Sequence, residues 1–512
     1  MRVLTCGDAA LLCEVGDLDD VLALADAVRG AGPAGVVDVV PAARTVLLVT
    51  APDTDLDALG SAVRGLPLDR STPVGDRATV DVPVVYDGAD LDKVARLTGL
   101  GVDGVVRAHT AGTWRVAFGG FAPGFAYLVG GDERLRVPRR DEPRTEVPAG
   151  AVGLAGEFSG IYPRSSPGGW QLIGRTDVDL WNETRAEPAL LRPGARVRFV
   201  RTSEPRRAPE RDRNGSVAPR CGRRRLEVVA TGALALVQDL GRPGNGAVGV
   251  GSSGAADRAA LALANRLVAN PPGAAGLEVT FGGLVVRAGP DLPAPLLVAL
   301  TGAPAPADVD GTPVGHDALV AMRPGQVLRL ARPPAGLRTY LAVRGGIDAA
   351  AVLGSRSTDV LSGVGPAPLA VGDAVPIGPE PAELPRVDVA PVPVPTGGVV
   401  TLRAVPGPRA DWVVDPGALT RTVWTASTRS DRVGMRLDGE PLRRRDRGEL
   451  PSEGMVRGAI QVPPGGEPVL FGADHPVTGG YPVVAVVLDA DLDRAGQVRP
   501  GQQVRFRFVR PR

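Results

Sequence analysis

A three-residue turn followed by a strand-like run occurs three times in this chain, and it limits the possible folds more than any other feature. Arg192-Pro193-Gly194 leads into ARVRFV, Arg323-Pro324-Gly325 into QVLRL, and Arg499-Pro500-Gly501 into QQVRFRFV. Pro-Gly sets a tight turn, and the alternation of apolar and charged residues after it has the period of a half-buried strand. The echo extends upstream. Val147 to Gly174 and Pro451 to Pro482 each run from a Gly-rich apolar segment to a Gly-Gly-aromatic, Gly168-Gly169-Trp170 in one and Gly479-Gly480-Tyr481 in the other. Self-similarity at this scale predicts one β-rich module recurring about three times.

A chain of 512 residues exceeds a single core and divides into several domains. Its 68 Gly and 50 Pro, set against 44% hydrophobic residues, fit many short strands joined by tight turns. Lys plus Arg total 58 and Asp plus Glu 57, so no long-range field draws in nucleic acid or an anionic membrane. Cys6, Cys13 and Cys221 are neither paired in number nor spaced for zinc. No segment approaches the roughly 18 apolar residues of a membrane span, and the first residues lack the pattern of a signal peptide. A cytoplasmic protein is the expectation.

Lys93 is the only lysine, and its surroundings match neither a phosphate-binding loop nor a biotin acceptor. Any nucleotide must be held by arginine and backbone amides, and covalent biotin is not expected. Three histidines leave few candidates for a multi-histidine metal site, and the metal ligands stay unknown.

Taken in order, residues 1–80 read as a small α+β domain, after which a strand near Ala78 and short helices over Gly88 to Leu100 and Val102 to His109 follow. Residues 201–225 hold nine Arg against three acids and read as a linker. The remainder, 226–512, opens with a strand from Leu226 to Leu236. The segment from Phe118 to Leu128 combines glycines with aromatics, so Phe121, Pro123, Gly124 and Tyr127 are candidates for a ligand wall. Beyond it, Arg144, Glu157, Ser166, Trp170 and Arg175 suggest a phosphate or carboxylate cradle. The second half supplies Arg242, the cluster Ser355-Arg356-Ser357, and Arg429, Asp431, Arg432 and Arg436 within eight residues. The organising stretch adds Ser452, Glu453, Gln461, Asp474, His475, Thr478 and Tyr481. His109 and His475 are the candidate acid–base residues, each weighed against a purely structural role.

Together FAPGFAYL, VPAGAVGLAG, GIYP and SPGGWQLIGRT resemble the B component of 5-oxoprolinase, also called allophanate hydrolase subunit 1 or kinase A inhibitor. VQDLGRPG, SGAADRAALALANRLVAN, LGSRST, SDRVGMRLDG, SEGMVRGAIQVPPGG and TGGYP resemble the C component, or allophanate hydrolase subunit 2. The chain thus looks like a fusion of the two carboxyltransferase-domain components of the urea amidolyase-related family. The resemblance implies a mainly β protein with an α+β N-terminal part and cyclophilin-like β-barrels, one in the first half over 81–200 and a two-lobed pair in the second, about 226–390 and 391–512. It also implies ATP- and Mg²⁺-dependent opening of the lactam 5-oxoproline to glutamate, in a homo-oligomer. A separate LamB/YcsF-like protein, the A component of 5-oxoprolinase, completes the hydrolysis. In that scheme the three arginines and the serine cluster surround the moving phosphoryl group, with Asp431 or Asp474 holding the metal. Two alternatives accompany it, a biotin-dependent carboxyltransferase component and a kinase-inhibitor-like binding protein. In one place the chain departs from the family: Ala473-Asp474-His475-Pro476-Val477-Thr478 stands where Ala-Asp-Arg-Gln-Thr-Thr is usual, and neutral histidine is a weaker anion partner than arginine.

Overall fold

The computed structural model describes residues 1–69, 79–142, 144–204 and 224–510. Most of the expected linker, 205–223, and Cys221 lie outside the described residues.

The N-terminal unit is a four-stranded antiparallel sheet in the order Arg2–Thr5, Ala10–Glu14, Thr45–Thr50, Val36–Pro41. Helices Leu18–Ala31 and Leu56–Arg64 start where the acids predict. Asp17 accepts the Asp20 N–H and Asp55 the Ala58 N–H, each at 2.9 Å, satisfying donors that a first helical turn leaves open. The run Ala-Leu-Leu-Cys is apolar at every position, and both faces of its strand are covered. Leu11 and Cys13 pack under the helices, whereas Ala10 and Leu12 share a core with Met455, Val456, Phe471 and Val486 of the far C-terminal end. The first and last units are therefore joined through a common apolar interior.

In the second unit a seven-stranded sheet runs Gln171–Arg175, Ala151–Ala155, Phe158–Ile161, Ala122–Val129, Trp114–Gly120, Arg196–Arg201, Thr79–Val84. The bridge between Val85 and Arg175 brings its ends together. After residue 224, a six-stranded and a five-stranded sheet enclose one aliphatic core, and a closed seven-stranded barrel from Val400–Pro406 to Gln503–Phe508 completes the chain. The protein is mainly β, with barrel-shaped sheets in both halves.

The repeated turn-and-strand does the same work twice. Arg196–Arg201 pairs in parallel with Thr79–Val84, and Gln503–Phe508 pairs in parallel with Val400–Pro406, so in each barrel the last strand lies beside the first. The middle copy, Val327–Leu330, instead joins antiparallel neighbours, Leu284–Ala288 and Ala307–Val309. The apolar run from Leu226 to Leu236, expected as one strand, is two: Arg225–Thr231 and Leu234–Gln238. Gly232 turns the chain between them at φ 66°, a conformation glycine adopts without strain.

A candidate binding cleft between the two halves

The two Gly-Gly-aromatic segments face each other. Strands Trp114–Gly120 and Ala122–Val129 meet at Phe121, which has φ 64°. A bulky residue in the left-handed region is an outlier that needs external support. It has that support: the Phe121 N–H donates to Thr478 Oγ1 at 3.3 Å. Gly120 makes the approach possible, since a Cβ there would sit 2.7 Å from the same hydroxyl oxygen. Thr478–Gly479 forms a two-stranded ribbon with Glu453–Gly454. Arg409 donates to both carboxylate oxygens of Glu453 and reaches Glu14 at 3.3 Å, tying that ribbon to the N-terminal sheet.

Between these segments lies a cleft of about 730 Å³. Its first-half wall carries Phe121, Tyr127, Tyr162 and Trp170, packed edge to face, with ring centroids of Phe121 and Tyr162 6.0 Å apart and those of Tyr127 and Trp170 5.6 Å apart. Burial pushes the Tyr162 hydroxyl up to about 12 and raises Tyr127, so both stay protonated donors at neutral pH. Ser452 of the second half lines the cleft beside Tyr127. The second-half wall adds Ser452, Thr478 and Tyr481, and Gln461 donates to the Tyr481 carbonyl at 2.9 Å.

Arginines line both lips. Arg139 and Arg140 come from the first half, Arg444, Arg445 and Arg447 from the second. Arg447 pairs with Asp411 at 2.5 Å and Arg140 with Asp90 at 2.7 Å. Arg445 donates to the carbonyls of Val413 and Val414, and Arg444 lies 6.0 Å from the centre of the Tyr481 ring. Among the described residues, Arg139, Arg444 and Arg445 have no carboxylate partner. The run Arg443-Arg444-Arg445-Asp446-Arg447 is a charge cluster plain in the sequence. It lies outside both echoed segments, so the repeat pattern does not point to it.

Other candidates are distributed differently. Arg144 and Arg140 converge on an anion that the chain supplies itself: Asp90 accepts from both guanidiniums at 2.7–2.9 Å and from the Leu172 N–H at 2.8 Å. Burial alone would raise the Asp90 carboxyl, but these donors hold it below the usual carboxylate range. Ser355-Arg356-Ser357 is filled in the same way. Asp239 accepts from the Ser355 hydroxyl at 2.6 Å, the Ser357 hydroxyl at 2.5 Å and the Arg356 N–H at 2.6 Å. Arg242 is buried and donates to the carbonyls of Val352 and Ser357. Both cradles expected from the sequence thus contain internal carboxylates.

The three arginines of 429–436 do not meet. Arg429 is exposed and pairs with Glu467 at 3.2 Å, Arg436 is exposed, and Asp431 accepts from the Val433 and Gly434 N–H groups in a turn. Arg432 is 3% exposed and lies within a buried network. It binds Glu278, donates to Asp474 at 2.9 and 3.1 Å and to the Gly254 carbonyl at 2.6 Å. Asp474 also accepts from Ser253 at 2.7 Å and from the Val360 N–H at 3.0 Å, while Glu278 accepts from Tyr340 at 2.7 Å. This network fixes one end of the segment whose other end carries Thr478 and Tyr481.

His109 lies in the second unit's core, hydrogen-bonded to Tyr86 at 2.8 Å and Ser159 at 2.9 Å and stacked 4.2 Å from Phe199. Burial holds its imidazole down to about 3, so it is neutral. His475 donates Nδ1–H to the Pro476 carbonyl at 2.9 Å, is also kept neutral by burial, and lines a separate cavity of about 370 Å³ with Cys6 and Arg457. Pro123 and Gly124 are buried in their strand, where Gly124 has φ 77°. Ser166 is partly buried, Glu157 lines a small pocket near Trp114, and Arg175 pairs with Asp87 at the surface. The described residues hold no cluster of three or more His, Cys, Asp or Glu side chains able to bind a metal.

Comparison with known proteins places both walls of the cleft in one family. Residues 1–191 match the carboxyltransferase domain, subdomain C and D, and residues 248–508 match the carboxyltransferase domain, subdomain A and B. The chain is 38% identical over 292 residues to the C component of 5-oxoprolinase from Escherichia coli K12, covering 55% of this chain and 90% of that protein. It is 51% identical over 128 residues to the B component of 5-oxoprolinase from Escherichia coli O157:H7, covering 24% of this chain and 59% of that one. The crystal structure of TTHA0988 superposes with a TM-score of 0.85 at 35% identity, over 97% of this chain and 99% of that one. The chain therefore belongs to the carboxyltransferase-domain family, as a fusion of a half like the B component of 5-oxoprolinase with a half like its C component.

Proposed function

We propose that this protein is the ATP-using component of a 5-oxoprolinase, activating the lactam of 5-oxoproline for hydrolysis to glutamate by a separate LamB/YcsF-like partner. The observation that carries this reading is the cleft itself. Guanidiniums without carboxylate partners face an aromatic wall, and neither half alone supplies both lips. Its volume of about 730 Å³ is within the usual range for a small-molecule site.

A lactam carbonyl resists water, and ATP supplies the phosphoryl group that turns its oxygen into a leaving group. The residues of the chain provide positioning and positive charge, the two requirements of phosphoryl transfer. Arg139, Arg444 and Arg445 hold the polyphosphate. Tyr127, Ser452 and Thr478 offer hydroxyls at the cleft floor, and the aromatic wall keeps water from the carbonyl. Mg²⁺ would enter with the phosphates, since the described residues hold no preformed cluster of carboxylates for it. With the LamB/YcsF-like partner and 5-oxoproline present, the purified chain is expected to release ADP and glutamate together. No 5-oxoproline-dependent ADP in any mixture contradicts the reading.

A further inference from the structure

Among the described residues two aromatic side chains are exposed, and they line the same cleft from opposite halves. Phe121 is 39% and Tyr481 44% exposed, whereas the other aromatics are buried or half-buried. Leaving an aromatic face in water forgoes the burial that drives folding, so two such faces in one concave site call for a ligand. Phe121 carries a second cost. Its left-handed backbone is strained and persists where surrounding structure enforces it, as the hydrogen bond to Thr478 does here. Tyr481 is held from the other side, its carbonyl bound by Gln461 and its ring approached by the Arg444 guanidinium.

We propose that Phe121 and Tyr481 form a two-sided clamp for the planar base of the nucleotide, with the triphosphate running past Arg444 and Arg445 toward Arg139. The proposal deepens the ATP-binding reading above and rests on it. The clamp is composite, because the first half contributes one platform and the second half the other. Stacking reads a π-face rather than a hydrogen-bonding edge, so the clamp accepts any purine and gains affinity from ring area. The arginines engage phosphate oxygens whether or not a base is attached. Base and phosphate contacts are therefore separable by experiment.

The test is calorimetric titration of the full chain with a non-hydrolysable ATP analogue, and separately with inorganic tripolyphosphate, both with Mg²⁺. Phe121→Leu and Tyr481→Ala are each expected to weaken the nucleotide analogue on the order of ten-fold and leave tripolyphosphate within about two-fold. Phe121→Tyr and Tyr481→Phe keep the π-face and are expected to bind like the parent. Arg444→Ala weakens both ligands. Tight binding of the analogue that ignores both aromatic substitutions overturns the clamp while leaving the ATP reading standing. Failure of the unmodified chain to bind the analogue overturns both. Retained tripolyphosphate binding reports that each variant is folded, which matters for Phe121, whose ring also packs against Phe125 and Tyr162.

Discussion

Phe121 and Thr478 are 357 residues apart in sequence and joined by one hydrogen bond, from the N–H of a strained aromatic to a hydroxyl of the facing ribbon. That contact connects the first barrel to the last at the floor of the cleft. Thr478→Val removes the acceptor and keeps the shape. It is expected to cost about 1 kcal/mol of stability, the usual net worth of a hydrogen bond, and to raise KM for ATP by loosening Phe121. Denaturant unfolding and steady-state kinetics on the same preparation check both effects.

Arg432 is held by Glu278, Asp474 and the Gly254 carbonyl, so its first effect is on folding. Arg432→Met leaves Asp474 buried without its cation and Glu278 with Arg338 alone, and removal of one member of such a group typically costs about 3–5 kcal/mol. Replacing Arg429, which is exposed, changes stability by less than about 0.5 kcal/mol. Urea midpoints of the two variants separate these roles.

His109 gives the fold an acid-sensitive component with a defined sign. Its folded pKa, about 3, lies below the ordinary value of 6.5, so the unfolded chain binds a proton that the folded chain refuses. The stability contributed by neutral His109 is complete above pH 6.5 and declines as pH falls through that value toward 3. At about pH 5 this one group accounts for a loss of about 2 kcal/mol. His109→Gln is expected to flatten the dependence between about pH 7.5 and 5, and unfolding measured at both values decides it.

The interior shared by the N-terminal sheet and the C-terminal barrel predicts that the two halves hold together without a covalent link. A chain cut within 205–223 is expected to elute as one species and retain activity. Leu47, fully buried against Gly454 in that interior, tests the same contact, since Leu47→Ala should cost about 2–5 kcal/mol.

What the sequence disclosed was what local chemistry determines. The alternation in QQVRFRFV buries Val504 and Phe506 and exposes Arg505 and Arg507, and the Arg-Pro-Gly turns precede closing strands in both barrels. The Gly-Gly-aromatic echo led to the two segments that line the cleft. Partnership was hidden. Ser355-Arg356-Ser357 has the composition of an anion cradle, but Asp239, more than a hundred residues earlier, fills it. Arg432 and Arg436 are four residues apart, yet one is buried and the other exposed, because the first points into the contact between lobes. Short-range pattern determines which residues turn and which alternate, whereas the neutralisation of a charge depends on contacts between distant segments.

The most direct test of the account is ADP and glutamate release from 5-oxoproline by the purified chain plus the LamB/YcsF-like partner, comparing the parent with Arg139→Ala/Arg444→Ala. The account predicts coupled release that requires ATP, with KM for ATP raised on the order of ten-fold or more in the double variant, since each charge-assisted contact is worth about 1.5–3 kcal/mol. Coupled turnover unaffected by the double substitution would place ATP outside the cleft and contradict it.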